Sequence, residues 1–422
     1  MAKKSVVKPK RTVTRRQLSY WQRQKRRRRI IIILGISIIV AVVALVTVGV
    51  YCQWYVPEQK PLKETVVEVN DAKFDMQYYI DTINFQLGEY YYLVEYYLDD
   101  ALETIEQNEL IRQKAEELGF TVGDDEVKET INSYGYDNTQ AARDAIGASL
   151  LLGEMEEEYF KPKVPINAEH RHVMAMFLES EAQVTEVRDR LETGEDFAEV
   201  ASELSLESTT KEGGGDLDWQ PEGILNGLLD TTVLESYVFS SQVGGLSKAI
   251  YDAEKEKSLG YWLIKVVEMD EEAGEAYVQV ILLPSEEEAQ RVLARLDTGE
   301  DFAKLAEEFS QYGEEGSRGD VSLVVGGDMS PAFEEYVFGS ETELDVVSGI
   351  ISDEEVTTTG GYWLFKVLGS EIMDISDDNR EVLVADAINK WLLSLWDNPE
   401  NTIVEYLDDE MRDFAIRKVT GE

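Results

Sequence analysis

The imidazole and thiol chemistry open to this chain is narrow: His170 and His172 are its two histidines and Cys52 its one cysteine. A His-x-His pair on a strand turns both rings to one face, as two metal ligands require. With no third His and no Cys nearby, a solvent-facing His170 beside a half-buried His172 is the expectation, and no metal site. Gly213-Gly214-Gly215-Asp216 lacks the Lys and Ser/Thr of a phosphate loop and reads as a turn needing positive φ. One cysteine excludes an intrachain disulfide, and no calcium-ligand loop is found. Chemistry here must be sparing with ionisable groups. The tyrosine-rich stretch holding Tyr78, Tyr79, Phe85, Tyr90, Tyr91, Tyr92, Tyr96 and Tyr97 reads mainly as packing, with Tyr78, Phe85 and Tyr92 on one heptad-spaced stripe and the surplus rings left to face solvent.

The charge distribution says where such groups work. The 422 residues carry 40 Lys and Arg against 84 Asp and Glu, a formal net charge of -44. Residues 1–29 hold 13 of the bases and no acid, so from residue 51 onward the balance is 27 - 84 = -57. Between the two parts lies Ile30 to Val50, 21 residues broken only by Ser37 and Thr47 among polar side chains. At about 1.5 Å per residue it spans about 30 Å, the depth of a bilayer core. Four arginines precede it and Trp54 and Tyr55 follow, which predicts a cytoplasmic N-terminus, a membrane helix over 30–51 and an extracytoplasmic remainder. The run is too long for a cleaved signal peptide. Tyr51 is bulky where a lipid-attachment site at Cys52 wants a small residue. The basic tail, 1–29, serves topology and anionic headgroups, not nucleic acid.

The rest is organised by a repeat. Leu191 to Ser205, LETGEDFAEVASELS, recurs as Leu296 to Ser310, LDTGEDFAKLAEEFS, with 10 of 15 positions identical. Gly260 to Val266, GYWLIKV, recurs as Gly361 to Val367, GYWLFKV. Each repeat runs from an apolar strand through two helices, a Gly-rich loop and a short helix to a closing Gly-Tyr-Trp strand, a compact α+β unit of about 100 residues. The expected units are 166–269 and 274–370. A helical region over 60–163 precedes them, ending in the linker Lys161-Pro162-Lys163-Val164-Pro165. Helices at Asp377 to Trp396 and Asn401 to Lys418 follow, within 375–420.

Both repeats resemble the parvulin-type peptidyl-prolyl cis-trans isomerase domain. The likeness rests on His172-Val173-Met174, Gly194-Glu195-Asp196-Phe197, Gly214-Gly215-Asp216-Leu217 and Gly260-Tyr261-Trp262, in that order. Val66 to Phe160 is similar to the helical chaperone region of SurA and PrsA-like foldases, completed by the C-terminal helices. The fold implied is two FKBP-like α+β domains on a helical chaperone domain, behind one membrane helix. Catalysis of this kind needs no cofactor and no nucleophile, only a proline socket and polar groups that favour the twisted amide. Carried over residue by residue, the family's first histidine falls at His172 and its acid at Glu207, the expected catalytic pair. The Met and Phe places of unit one fall at Asp230 and Leu234, and Trp262 takes the closing histidine. In unit two, Tyr277 and Tyr312 stand for the histidine and the acid, Trp363 for the closing histidine, and Met329 and Phe333 keep the socket. Leu234, Phe239, Trp262, Met329, Phe333 and Trp363 are therefore the expected substrate contacts.

The resemblance implies a membrane-anchored foldase for newly exported, Pro-containing chains, with isomerisation in unit one and unit two inactive. A holdase built on degenerate isomerase domains, and a static envelope scaffold, are the alternatives; a holdase would suppress aggregation independently of His172.

Overall fold

The computed structural model describes residues 15–88, 90–270, 272–313, 319–340 and 342–421. Residues 1–14 of the expected basic tail lie outside them. Helix α1 (Arg15–Val50) carries the apolar run into a π-helical stretch, Tyr51–Gln59. It is long and apolar enough to cross a membrane. There follow β1 (Thr65–Val69), β2 (Ala72–Asp75), α2 (Met76–Leu87), α3 (Leu98–Glu117), α4 (Asp124–Tyr134) and α5 (Gln140–Met155). The first repeat supplies β3 (Asn167–Leu178), α6 (Glu181–Glu192), α7 (Phe197–Leu204), α8 (Ser208–Glu212), β4 (Asp216–Pro221), α9 (Leu225–Leu229), α10 (Leu234–Ser240), β5 (Ile250–Lys257) and β6 (Gly260–Asp270). The second supplies β7 (Glu275–Leu283), α11 (Glu286–Asp297), α12 (Phe302–Phe309), β8 (Asp320–Val324), α13 (Pro331–Val337), β9 (Ile351–Asp353) and β10 (Thr358–Asp374). The chain closes with α14 (Asp377–Trp396), β11 (Ile403–Glu405) and α15 (Asp409–Thr420). Two compact units result, one of residues 1–159 with 390–422 and one of 160–389.

In the first unit β1 is the centre of a three-stranded sheet, with β2 on one edge and β11 on the other. Asp75 caps α2 by accepting from Tyr78 N at 3.0 Å. Val66, Val67, Tyr79, Ile83, Ile105 and Ile111 are buried, and the C-terminal α15 packs on α2. The expected helix from Asn401 instead opens as β11, because the β-branched pair Ile403-Val404 adds to the free edge of β1. The tyrosine stripe is also corrected. Residues Tyr91–Tyr97 form a 3-10 helix, whose period differs from that of an α-helix, so Tyr92 is exposed with Tyr90, Tyr91 and Tyr96 while Tyr79 is core.

The repeat motif is explained by local chemistry. In Gly-Glu-Asp-Phe, the aspartates Asp196 and Asp301 accept from backbone N–H groups at the starts of α7 and α12. The Gly-rich loop does turn at positive φ, at Gly214 and Gly215 but not Gly213. A Cβ on Gly215 would lie 2.8 Å from the Ala175 carbonyl, and one on Gly319 2.2 Å from that of Val280, so both repeats need glycine where the loop crosses the opening strand.

The second unit holds two four-stranded antiparallel sheets, ordered β4-β3-β10-β5 and β8-β7-β6-β9. The sheets do not follow the two repeats. The closing strand of each repeat pairs with the opening strand of the other: β10 lies on β3 with Trp363 opposite Phe177, and β6 lies on β7 with Trp262 opposite Leu282. The first lobe is thus 167–257 with 358–374, and the second is 260–353. Only Ser258 and Leu259 separate β5 from β6, and neither adopts the positive φ that a two-residue hairpin needs. The chain runs on into the neighbouring lobe instead. The crossing is tied by Lys257 Nζ donating to the Gly360 carbonyl, by Tyr261 Oη donating to Glu179 at 2.6 Å, and by a pair of hydrogen bonds in which Gln311 Nε2 donates to the Thr359 carbonyl at 3.0 Å and Thr359 N donates to Gln311 Oε1 at 2.8 Å. Burial pushes the Lys257 amine down to about 8 and the Glu179 carboxyl up, so both ends of this junction resist charging.

Candidate active-site clefts

Side chains directly opposed on paired strands share a face. The Trp363–Phe177 pair therefore puts Trp363 on the face of Phe177, Ala175 and Val173, where Leu217, Leu225, Leu229, Leu234 and Val238 close over it. In the second lobe Trp262 shares its face with Leu282, Val280 and Val278, beneath Phe333 and Val337 of α13. Both indoles are core, Trp363 at 0% and Trp262 at 1% exposure.

Each indole is clasped in the same way. Trp363 Nε1 donates to Asp252 Oδ2 at 3.0 Å, and Thr231 Oγ1 donates to the same oxygen at 2.5 Å. Trp262 Nε1 donates to Asp353 Oδ2 at 2.8 Å, joined there by the Ser330 hydroxyl. The other carboxylate oxygen accepts backbone N–H groups, from Glu254 and Lys255 on Asp252 and from Glu355 on Asp353. Both aspartates are 2% exposed, and these bonds satisfy side chains that would otherwise be costly to bury. Each ties the other repeat's closing strand to the start of its own lobe's socket helix. Sequence reasoning missed them. The available signal was a spacing, Asp252 and Asp353 each standing ten residues before a closing-strand tryptophan.

The expected catalytic pair does not assemble. His172 alternates away from Phe177 onto the opposite face of β3, where its Nε2 meets Asp216 Oδ1 at 2.8 Å and its ring lies 5.5 Å from that of Trp219. His170 is buried, with Nδ1 3.0 Å from the Ala168 carbonyl, the reverse of the expected exposure. Glu207 caps α8, accepting from Thr209 N at 3.0 Å and Thr210 N at 2.7 Å. The bond from Leu206 N to the Phe177 carbonyl sets Glu207 beside the Phe177 end of β3. His172 is five residues back, about 16 Å along the strand at ~3.3 Å per residue. Tyr277 faces away in the same manner, its phenol held above the usual range by a hydrogen bond to Asp320. Neither indole-bearing face carries an imidazole.

The substrate positions divide. Leu234 is core of the first lobe, Phe239 half-buried beside the Arg171 guanidinium, and Asp230 exposed at φ 48°. Trp262 is not with them but in the second lobe, and Trp363 is in the first, each having changed places with its strand. Trp262, Tyr312, Met329 and Phe333 are gathered together. The Trp262 ring lies 5.2 Å from Tyr312 and 5.0 Å from Phe333, both edge-to-face, and Tyr312 Oη is 3.6 Å from Met329 Sδ. Phe333 is fully buried, whereas Tyr312 and Met329 are half-buried at the rim. This is a packed aromatic cluster whose surface-reaching members are the Tyr312 phenol and the Met329 thioether. Among the described residues no group of three His, Cys, Asp or Glu is arranged to hold a metal ion.

Comparison with known proteins locates a PPIC-type PPIase domain at residues 174–268 and again at 283–369, and a SurA-like N-terminal domain at 18–140. The chain is 27% identical over 189 residues to the foldase protein PrsA of Caldanaerobacter subterraneus subsp. tengcongensis, covering 41% of this chain and 57% of that one. It is 26% identical over 240 residues to the chaperone SurA of Pseudomonas syringae pv. syringae, covering 53% and 51%. The chain thus spans little more than half the length of these relatives. Among solved structures it resembles the peptidylprolyl isomerase PrsA from Bacillus anthracis, at 13% identity, 76% and 95% coverage and a TM-score of 0.31.

Proposed function

Since this chain is a SurA/PrsA-like protein, with two PPIC-type parvulin domains behind a SurA-like N-terminal domain, we propose that it is a membrane-anchored foldase that binds newly exported chains and speeds their prolyl cis-trans isomerisation. In this reading α1 crosses the membrane once with its N-terminus in the cytoplasm, and everything from about residue 52 works outside. The arginine run before the span and the stacked Tyr51 and Tyr55 after it support that orientation.

An X-Pro bond rotates over a barrier of about 18–20 kcal/mol, slow enough to limit folding. An apolar site that strips water from the amide and offers a hydroxyl to the twisted form lowers that barrier without nucleophile or cofactor. The observation carrying the proposal is the assembled socket of Trp262, Tyr312, Met329 and Phe333. The reason for preferring the first repeat falls away with the position of His172, so the second lobe is the proposed centre. Tyr312 is its polar group, Met329 and Phe333 its ring contacts. Exposed Tyr90, Tyr91, Tyr92 and Tyr96 add a holdase surface that grips clients apart from proline.

The test compares kcat/KM for an Ala-Pro-containing peptide. Joint Tyr312→Ala and Met329→Ala substitution is expected to lower it about tenfold or more, the equivalent of ~1.4 kcal/mol of transition-state binding. His172→Ala should leave it within about twofold. Loss in His172→Ala with retention in the double variant would return the centre to the first repeat.

A further inference from the structure

The exchange makes two continuous segments serve both lobes. Ile250–Asp270 carries Asp252, which clasps the indole of the first lobe, and Trp262, the indole of the second. Ile351–Asp374 carries Asp353, which clasps the indole of the second lobe, and Trp363, the indole of the first. Within each segment the acceptor and the indole are ten residues apart. The path between them runs through the crossing, where Lys257, Gly360, Gln311, Thr359, Tyr261 and Glu179 hold the two links together.

We propose that Asp252 and Asp353 are positioning residues through which the two clefts are coupled: a change in the clasp of one lobe alters the indole, and with it the ligand affinity, of the other. A ligand held at the Tyr312–Met329 rim presses through the Tyr312 ring, 5.2 Å from that of Trp262, on the Trp262–Asp353 bond and the β6 strand. That strand is two residues from β5, whose Asp252 holds Trp363. The return path, from Trp363 along β10 to Asp353, is its mirror image, so coupling is reciprocal, as linkage requires. The carrier is the indole–carboxylate clasp together with the unbroken chain segment that joins it to the other lobe's clasp. The ligand half of this inference rests on the isomerase reading above; the structural half does not.

The experiment uses the full chain in detergent, labelled with 5-fluorotryptophan, the Trp262 and Trp363 resonances being assigned from Trp262→Phe and Trp363→Phe. Asp252→Asn alters the first-lobe clasp while keeping the side-chain shape. It is expected to shift or broaden the Trp262 resonance in the second lobe and to change affinity for an Ala-Ala-Pro-Phe peptide fivefold or more. Thr231→Val, which removes one bond to Asp252 and leaves the charge, should act the same way more weakly and serves if Asp252→Asn fails to fold. A shift confined to Trp363, with Trp262 and peptide affinity unchanged in both variants, would overturn the proposal. If the wild type binds no peptide, the cleft reading fails, and cross-lobe movement of the Trp262 signal still decides the coupling.

Discussion

Trp363→Ala will destabilise the first lobe by about 3–5 kcal/mol, although Trp363 belongs by sequence to the second repeat. The magnitude is that of deleting a fully buried tryptophan. The location follows from pairing: Trp363 packs 4.8 Å from Phe177 and donates to Asp252, both in the first lobe. Truncation also leaves a buried Asp252 short of a donor, which adds to the loss. Hydrogen exchange resolved by peptide is the readout. Amides of β3, β4 and β5 should lose protection, while those of β7 and β8 keep theirs. Trp262→Ala should give the mirror result. Loss of protection in β7 and β8 from Trp363→Ala, with β3, β4 and β5 unaffected, would mean that each repeat closes on itself.

The second large effect lies in the other unit. Glu106 on α3 is buried at 4% exposure, and its Oε1 has no hydrogen-bond partner among the described residues. Burial, reinforced by the nearby Glu405 carboxylate and opposed by a hydrogen bond from Trp396, pushes its carboxyl up from 4.5 to about 7. The folded unit therefore holds a proton that the unfolded chain gives up, and stability falls as pH rises from about 4.5 to about 7. Above that the full cost stands, about 3 kcal/mol for a shift of this size. Glu106→Gln removes the ionisation. It should raise the unfolding free energy of this unit by about 3 kcal/mol at pH 8.5, with the advantage shrinking by more than half at pH 5.5. Urea unfolding at the two pH values checks it. An advantage independent of pH would show that the gain is one of packing and not of charge.

The parts of the fold legible from sequence were those decided within a few residues. Asp196 and Asp301 cap helices three residues into a repeated motif, and Gly215 and Gly319 stand where a backbone crosses a strand, so one motif announced each lobe twice. The apolar run before Tyr51 is legible for the same reason. The pairing of closing strands was not, because GYWLIKV and GYWLFKV differ only at Ile264 and Phe365 and present the same Gly-Tyr-Trp register to either opening strand. What decides between them is the short Ser258-Leu259 link, a matter of backbone geometry.

The site shows the same division. The gathering of Met329, Phe333 and Tyr312 was legible as a pattern. His172 falls away from the Trp363 cluster because Trp363 opposite Phe177 puts the odd-numbered residues of β3 on that face and sends His172 to the other, with Met174 and Met176. Asp252 and Asp353 went unnoticed in a chain with 84 acidic residues, where an acid draws attention only once its burial is known.

The most direct measurement is the rate of cis-to-trans conversion of an Ala-Pro-containing peptide, followed by NMR exchange with the full chain in detergent and with the peptide alone. Acceleration that disappears in the joint Tyr312→Ala and Met329→Ala variant is the predicted result. A rate no faster than that of the free peptide, from a folded chain that still binds it, would contradict isomerisation and leave a chaperone that holds prolyl segments without turning them.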